Sequence, residues 1–515
     1  MRNMEYQLTR EVCKTPETIF EGAKEMPVDL DLSLPDYCPD IEKILKCRIS
    51  PGITSRNISG DMLEVEGNVL ISLYYLDSKK QAVRLCEHSS PFSCSFALKP
   101  GSDDAVAMLR LKTEYLNCRA VSPRRVDIHG AFSILANVQA AADQEYYSSI
   151  QGDDIQQRKT VQTVSRLCAT GQQQFSITEV LDIGQGKGFP ESILRSELSV
   201  SCDSVKALTD KLMISGEAVL RILYVTDIES GSQDVMTFNI PFSQVLDAKG
   251  ITDTTTNDVT IEVMNYDTAL KSEYDENSTL VTLDAKLCAS VIAAEDVPVE
   301  LVEDAYSTDY ELEIEKKQYK FTHLISLLNE DVSVKSEVST GDCGLSRVID
   351  LWCDNVSSMW VYENEQFTVK GKAGCCILAL DSDGVPFYVE RPLDFTVTPE
   401  FAGEVQSPSG RVDVRPMGIS FRITGDNSVE IKLDMKLTGS ITEQKTMRGI
   451  VSVHSNDDRC RMKDKAAALT LYFAEKGESL WDIACAYCTS VEAIKLENEM
   501  TEDLITADGM ILIPM

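Results

Sequence analysis

One block of this sequence occurs three times, and that triplication constrains the fold more than any other feature. The comb Val65, Gly67, Val69, Ile71, Leu73, Tyr75 returns as Ile214, Gly216, Ala218, Leu220, Ile222, Tyr224, and again as Val369, Gly371, Ala373, Cys375, Ile377, Ala379. The offsets are 149 residues (214 minus 65) and 155 residues (369 minus 214). Ile44, Ile193 and Val348 each stand 23 residues before the comb glycine. Asp77, Asp227 or Asp381 follows each comb in a turn, and then Pro91-Phe92, Pro241-Phe242 or Pro392-Leu393. A period of this length means that each copy is one structural unit, so the chain is an array of three.

Alternation of apolar residues with period two, rich in β-branched and aromatic types, is the pattern of a strand with one buried face. A glycine inside it marks a bulge or a close backbone approach, which gives Gly67, Gly216 and Gly371 a structural role. Further alternating runs occupy Arg125 to Val138, Leu280 to Ala293 and Ser420 to Ile441, with Ser382-Asp383-Gly384 as a hairpin turn. The spacing around Ile44 reads as a short helix over Asp40 to Lys46, started by Pro39. The fold class expected is therefore mainly β, with three antiparallel sandwich-like units, each with a peripheral helix. The units fall at 1–150, 151–310 and 311–453, with seams in the polar stretch Asp143 to Gln174 and near Ser307 to Tyr319. A polar run from His454 to Lys465 reads as a linker over 454–466, and a different module occupies 467–515.

Composition narrows the function. Of 515 residues, 82 are acidic and 49 are Lys or Arg, a formal charge of -33. Nucleic acid and anionic membrane surfaces need clustered cations, so neither is an expected partner, and a basic protein is. The N-terminal residues have no apolar run of signal-peptide length, and no stretch is long enough to span a bilayer, which leads us to expect a cytoplasmic protein. Sixteen cysteines at irregular spacings read as reduced core thiols.

The last segment has strand, helix, helix, strand order: Leu471 to Phe473, then Leu480, Trp481, Ile483, Ala484 and Tyr487 at helical spacing, then Val491, Ile494 and Leu496, then Ile511 to Pro514. Ser479 is the expected cap of the first helix, and Thr489 with Glu492 the capping box of the second. Trp481 is expected at the centre of the small core. The run Lys476-Gly477-Glu478-Ser479-Leu480-Trp481-Asp482-Ile483-Ala484, with Tyr487, Asn498, Gly509 and Ile511 to Pro514, resembles a LysM domain. That family is a βααβ module which commonly binds N-acetylglucosamine polymers between two loops. The resemblance places its groove at Gly477, Glu478, Ser479 and Leu480, facing Ala507 to Ile511 with Ile505, Asp508, Gly509 and Met510. Asp508-Gly509-Met510 stands where the family has Pro-Gly-Gln, and the lost amide argues against glycan binding. Ile505, Met510 and Ile511 are the apolar residues expected beside the groove, with Ile511 expected in the core.

Leu34 to Leu45, followed by the combs, resembles the SPOCS domain found in tandem in spore coat proteins. Tandem SPOCS repeats with a terminal LysM module resemble the SipL-type family of coat morphogenetic proteins. The resemblance implies a mother-cell scaffold at the forespore surface, binding the stage IV sporulation coat ATPase through LysM, with other coat proteins or itself as further partners.

Chemistry is sparse by comparison. His88, His129, His323 and His454 stand singly, so a zinc hydrolase has no ligand set, and Cys485 with Cys488 lacks a second pair. Gly184 to Gly188 lacks the Lys-Ser/Thr ending of a phosphate loop. Asp381, Asp383 and Gly384 open like a calcium loop, but Arg391 and Pro392 stand at its closing end. No cofactor, metal or catalytic residue is expected. Three functions follow: a protein-binding scaffold, a peptidoglycan-binding protein, and a LysM-targeted hydrolase or transferase, the last without a catalytic constellation.

Overall fold

Each copy of the repeat folds into six strands that divide into two three-stranded antiparallel sheets. The computed structural model describes residues 5–79, 82–99, 105–183, 187–228, 231–272, 279–341, 344–400, 405–460 and 469–514. The first copy comprises β1 (Leu8–Ser33), β2 (Ile41–Ser59), β3 (Met62–Asp77), β4 (Val83–Ala97), β5 (Val106–Ser122) and β6 (Arg125–Ile150). The second comprises β7 (Ile155–Asp182), β8 (Ser192–Leu208), β9 (Lys211–Asp227), β10 (Ser232–Asp247), β11 (Thr256–Ser272) and β12 (Thr279–Ser307). The third comprises β13 (Tyr310–Ser339), β14 (Leu345–Glu363), β15 (Gln366–Asp381), β16 (Pro386–Val397), β17 (Pro408–Gly425) and β18 (Ser428–Cys460). The sheet orders are β1-β6-β5 with β2-β3-β4, then β11-β12-β7 with β10-β9-β8, then β13-β18-β17 with β14-β15-β16. In every copy the comb is the middle strand of its sheet, and apolar residues of both sheets meet in one cluster. The alternation follows from burial of one face over the first part of each comb strand, and towards its end the second face is buried as well, in a cluster shared between copies.

No helix forms at Asp40 to Lys46. Ile44, Ile193 and Val348 lie in β2, β8 and β14, opposite Tyr75, Tyr224 and Ala379. A register shift follows each of them, at Ile44/Lys46, Ile193/Arg195 and Val348/Asp350. A bulge puts one extra residue into a strand, so apolar positions three apart can share a face, and that spacing imitates a helix.

A further shift lies beside each comb glycine: Ile53/Ser55 and Cys202/Ser204 start at the residues opposite Gly67 and Gly216, and Asp354/Ser357 ends one residue before Ser358, which is opposite Gly371. It drives the neighbouring strand towards the glycine. A Cβ at Gly67 would lie 2.2 Å from the carbonyl oxygen of Gly52, at Gly216 2.0 Å from that of Ser201, and at Gly371 2.4 Å from that of Ser357. Across the other neighbour, each glycine is paired with a phenylalanine: Phe92, Phe242 and Phe395. The third landmark thus moves: Pro392 and Leu393 pair with Gly374 and Ala373, and Phe395 is the counterpart of Phe92 and Phe242.

The three copies meet in apolar clusters to which all three contribute. One cluster takes Leu76 and Val83 from the first copy, Leu194, Leu223 and Val225 from the second, and Trp352, Cys376 and Leu378 from the third. A second joins Cys13 and Tyr146, Val164, Val299 and Leu301, and Tyr319, Phe321 and Met447. The residues just past the shifts at Ile44, Ile193 and Val348, namely Lys46, Arg195 and Asp350, are equivalent, and the buried Asp350 accepts Arg195 Nη2 at 2.8 Å and Arg221 Nη2 at 2.9 Å. The Arg195 guanidinium also lies 4.8 Å from the centre of the Trp352 ring.

The expected linker differs as well. β18 continues through His454 to Cys460, pairing with β13 as far as Tyr310, because polar residues alternate comfortably on a strand with one solvated face. Residues 461–466 of that stretch lie outside the described residues. Beyond them come β19 (Leu469–Ala474), α1 (Leu480–Tyr487), α2 (Val491–Glu497) and β20 (Gly509–Pro514), with β19 and β20 paired antiparallel. No described helix is long and apolar enough to cross a membrane.

Candidate functional site

The C-terminal module gathers the residues expected to bind a partner. Ser479 caps α1 by accepting from the Trp481 amide at 3.2 Å, as its position before the apolar spacing predicts. α2 is capped one residue later than expected: Ser490, not Thr489, accepts from the Ala493 amide at 3.1 Å. Thr489 is buried instead, with its carbonyl engaged elsewhere. The core is Ala474, Leu480, Ala484, Ile494 and Ile513, all fully buried, so Trp481 sits at its margin and not at its centre.

The two loops expected to flank a groove are joined to each other. The Gly477 amide donates to the Ile505 carbonyl at 2.8 Å, the Ile505 amide to the Glu478 carbonyl at 2.9 Å, and the Leu480 amide to the Asp503 carbonyl at 2.9 Å. Gly477 has φ +94°, a left-handed conformation that glycine adopts without strain. Glu478 accepts from the Glu475 amide and from the Tyr472 hydroxyl, and this bond raises the Tyr472 pKa. Asp508 accepts from the Lys476 amide at 2.7 Å. Both acids thus hold loop backbone in place. Ile505 and Leu480 are buried, which removes Ile505 from the exposed set, and Ile511 is buried as expected.

Met510 alone of the expected apolar contacts is exposed, at 70%. It pairs across the hairpin with Phe473, exposed at 65%, and Leu471, exposed at 67%, pairs with Leu512. With Leu469 these residues form the outer face of β19–β20, whose inner face (Tyr472, Ala474, Ile511, Ile513) packs on the helices. Sequence reasoning missed Leu469, Leu471 and Phe473. The signal was present: apolar residues on both faces of a short strand mean that one face is left over. From 469 to 514 the module has nine acids against two cations, Lys476 and Lys495, so its apolar face sits in a negative field.

Elsewhere, a cavity of about 1880 Å³ lies between the copies, lined by Met108 to Leu111, by Asp258, Thr260 and Glu262, and by Arg411 to Pro416 among others. Its charges face one another. Arg411 binds Asp258 at 2.9 Å and Arg415 binds Asp413 at 2.6 Å. Burial would raise the Asp413 pKa, but Arg415, Arg110 and Arg411 outweigh it and hold the carboxyl below its ordinary value. Asp381 accepts the amides of Asp383 and Val385 at 2.9 and 2.8 Å, so the sequence resembling a calcium loop is a hairpin turn. Residues 184–186 of the glycine-rich stretch lie outside the described residues. Cys485 lies in α1, and Cys488 is its left-handed cap. Among the described residues no group of His, Cys, Asp and Glu has the arrangement of a metal site. His129 is held between Asp29 at 2.7 Å and Asp127 at 3.1 Å, which raises its pKa.

The family model described as SipL, SPOCS domain matches residues 40–121 and 190–271. These spans are β2 to β5 and β8 to β11, the same four strands of the first and second copies. The third copy lies outside the matched residues, although its strand order and pairing are the same. No curated protein and no solved structure matches the chain.

Proposed function

The chain carries tandem SPOCS domains of the SipL family, and from that premise we propose that it is a non-enzymatic scaffold of spore coat assembly. In this reading 467–515 is a LysM module that binds the stage IV sporulation coat ATPase, and the three repeats are sandwiches that form its rigid support. The chain works in the mother-cell cytoplasm at the forespore surface. The observation that carries the reading is the outer face of β19–β20, where Leu471, Phe473 and Met510 are each about two-thirds exposed. An apolar strip in an acidic setting suits a protein surface that offers apolar side chains among cations. A polysaccharide would instead call for free polar groups in the loops. Glu478 and Asp508 are committed to loop amides, and Met510 stands where the family has an amide side chain.

The test is binding of the purified ATPase to the full chain and to a Leu471→Glu/Phe473→Asp variant, beside calorimetric titration of both with chitin oligomers. Binding by the parent, at least about tenfold weaker in the variant, supports the scaffold reading. Tight oligomer binding without ATPase binding would replace it with a peptidoglycan-binding one.

A further inference from the structure

The Trp481–Thr489 end of the C-terminal module is covered by the end of the paired strands β7 and β12, while the outer sides of α1 and α2, with Asp482, Glu492 and Leu496, face solvent. Tyr306, near the end of β12, is buried within the module's own apolar cluster. Its ring meets that of Trp481 edge to face, with centroids 4.9 Å apart at 68°. Its hydroxyl donates to the Thr489 carbonyl at 2.7 Å, which explains why Thr489 is drawn inward and leaves the capping of α2 to Ser490. Two residues earlier, Asp304 accepts the Trp481 indole N–H at 3.1 Å and Lys316 Nζ at 2.7 Å. Arg158 on β7 lies 5.5 Å from the Trp481 ring centre and 3.9 Å from Asp304. Three strands of the repeats thus converge on one tryptophan and one helix end.

We propose that this contact is an intramolecular latch: the middle repeat occupies the Trp481–Thr489 side of the module, fixes its orientation, and leaves β19–β20 as the face on offer. Tyr306 and Asp304 engage the module from the repeat side, where Trp481 donates its indole N–H to Asp304 and the Thr489 carbonyl accepts from Tyr306. The latch itself follows from the contacts. Its consequence for partner binding rests on the scaffold reading above. The second repeat holds the module, whereas the equivalent strand ends of the first and third copies meet other neighbours: Tyr6 donates to Asp154, and the first copy's Glu5 bridges to His454. Three equivalent repeats are in this way given one distinguished end.

The test uses the full chain with Asp304→Asn/Tyr306→Ser, which leaves the module's own sequence untouched. Small-angle scattering and amide hydrogen exchange are the measurements. The expected result is a larger radius of gyration and about tenfold faster exchange over 302–307, while the amides of Ile483 and Ile494 stay protected because the module remains folded. A milder variant, Tyr306→Phe/Trp481→Phe, keeps both rings and removes two hydrogen bonds, and should fall between parent and double variant. Scattering and exchange indistinguishable from the parent in both variants would overturn the latch. ATPase binding is measured separately on the parent, so its absence would sink the scaffold reading without touching the latch.

Discussion

At Gly67, Gly216 and Gly371 a hydrogen stands where a side chain would meet a carbonyl oxygen on one neighbouring strand and a phenylalanine ring on the other. Neither obstacle is the free end of a flexible chain, so the backbone would have to move. Alanine at any one of these positions should destabilise its repeat by about 1–3 kcal/mol, read as a lower denaturation midpoint with an unchanged slope. Gly60, with φ +59° and open space around it, provides the contrast, since alanine there meets no neighbour and suffers only backbone strain. The glycines were legible in the sequence as a break in alternation at a fixed place. Their cause was not, because it lies in a bulge on the strand next door, 14 residues away by the pairings Ile53–Gly67 and Cys202–Gly216.

Among the elements, the strands were easier to read than the helices. Strong period-two combs give strands because one face is buried along their whole length, whereas the bulges of β2, β8 and β14 disguise those strands as something else. The caps of α1 and α2 show the same dependence on context. Ser490→Ala should cost the module about 1 kcal/mol, whereas Thr489→Ala, which keeps the carbonyl that Tyr306 uses, should leave α2 capped; module-resolved hydrogen exchange measures both. The latch carries a pH dependence of definite sign. Burial would raise the Asp304 pKa, but hydrogen bonds from Lys316 and Trp481 and the charges of Lys316 and Arg158 outweigh burial and hold it below the ordinary carboxylate value. A depressed pKa contributes stability above the unfolded value of about 4 and loses it as pH falls through the folded value. Docking should therefore be constant from about pH 8 to 5 and weaken only below about pH 4, which scattering over that range will show.

At the scale of the molecule, Lys46, Arg195 and Asp350 occupy equivalent register positions in the three copies, beside an apolar cluster that all three share. Three cations there would repel one another in a buried setting. An aspartate in the third copy neutralises two arginines of the second, and it makes the copies non-interchangeable. Asp350→Asn leaves Arg195 buried with a weaker partner and should cost about 3–5 kcal/mol. Joint replacement of Arg195 by Met and Asp350 by Leu should cost less in a denaturation experiment, because the two fully buried charges go together and only the partly exposed Arg221 and Glu197 lose a partner. A double substitution as damaging as the single one would show that the pair is not an isolated unit. The charged cavity and the shared apolar clusters have the same origin, since each is assembled from equivalent strands of three different copies.

The sequence by itself determined that there are three β units and a small terminal βααβ-ordered module, because burial of one face writes its period directly into the chain. It also carried the family resemblance, through residues close together along the chain. Tertiary structure alone decided which apolar residues of the module are left outside, which loop acids are spent on backbone amides, and which repeat holds the module. Those outcomes depend on contacts between segments far apart in sequence: Asp304 and Trp481 are 177 residues apart, and Arg195 and Asp350 are 155 apart. No local pattern records a partner at that distance, since periodicity reports that a face is buried and not what buries it.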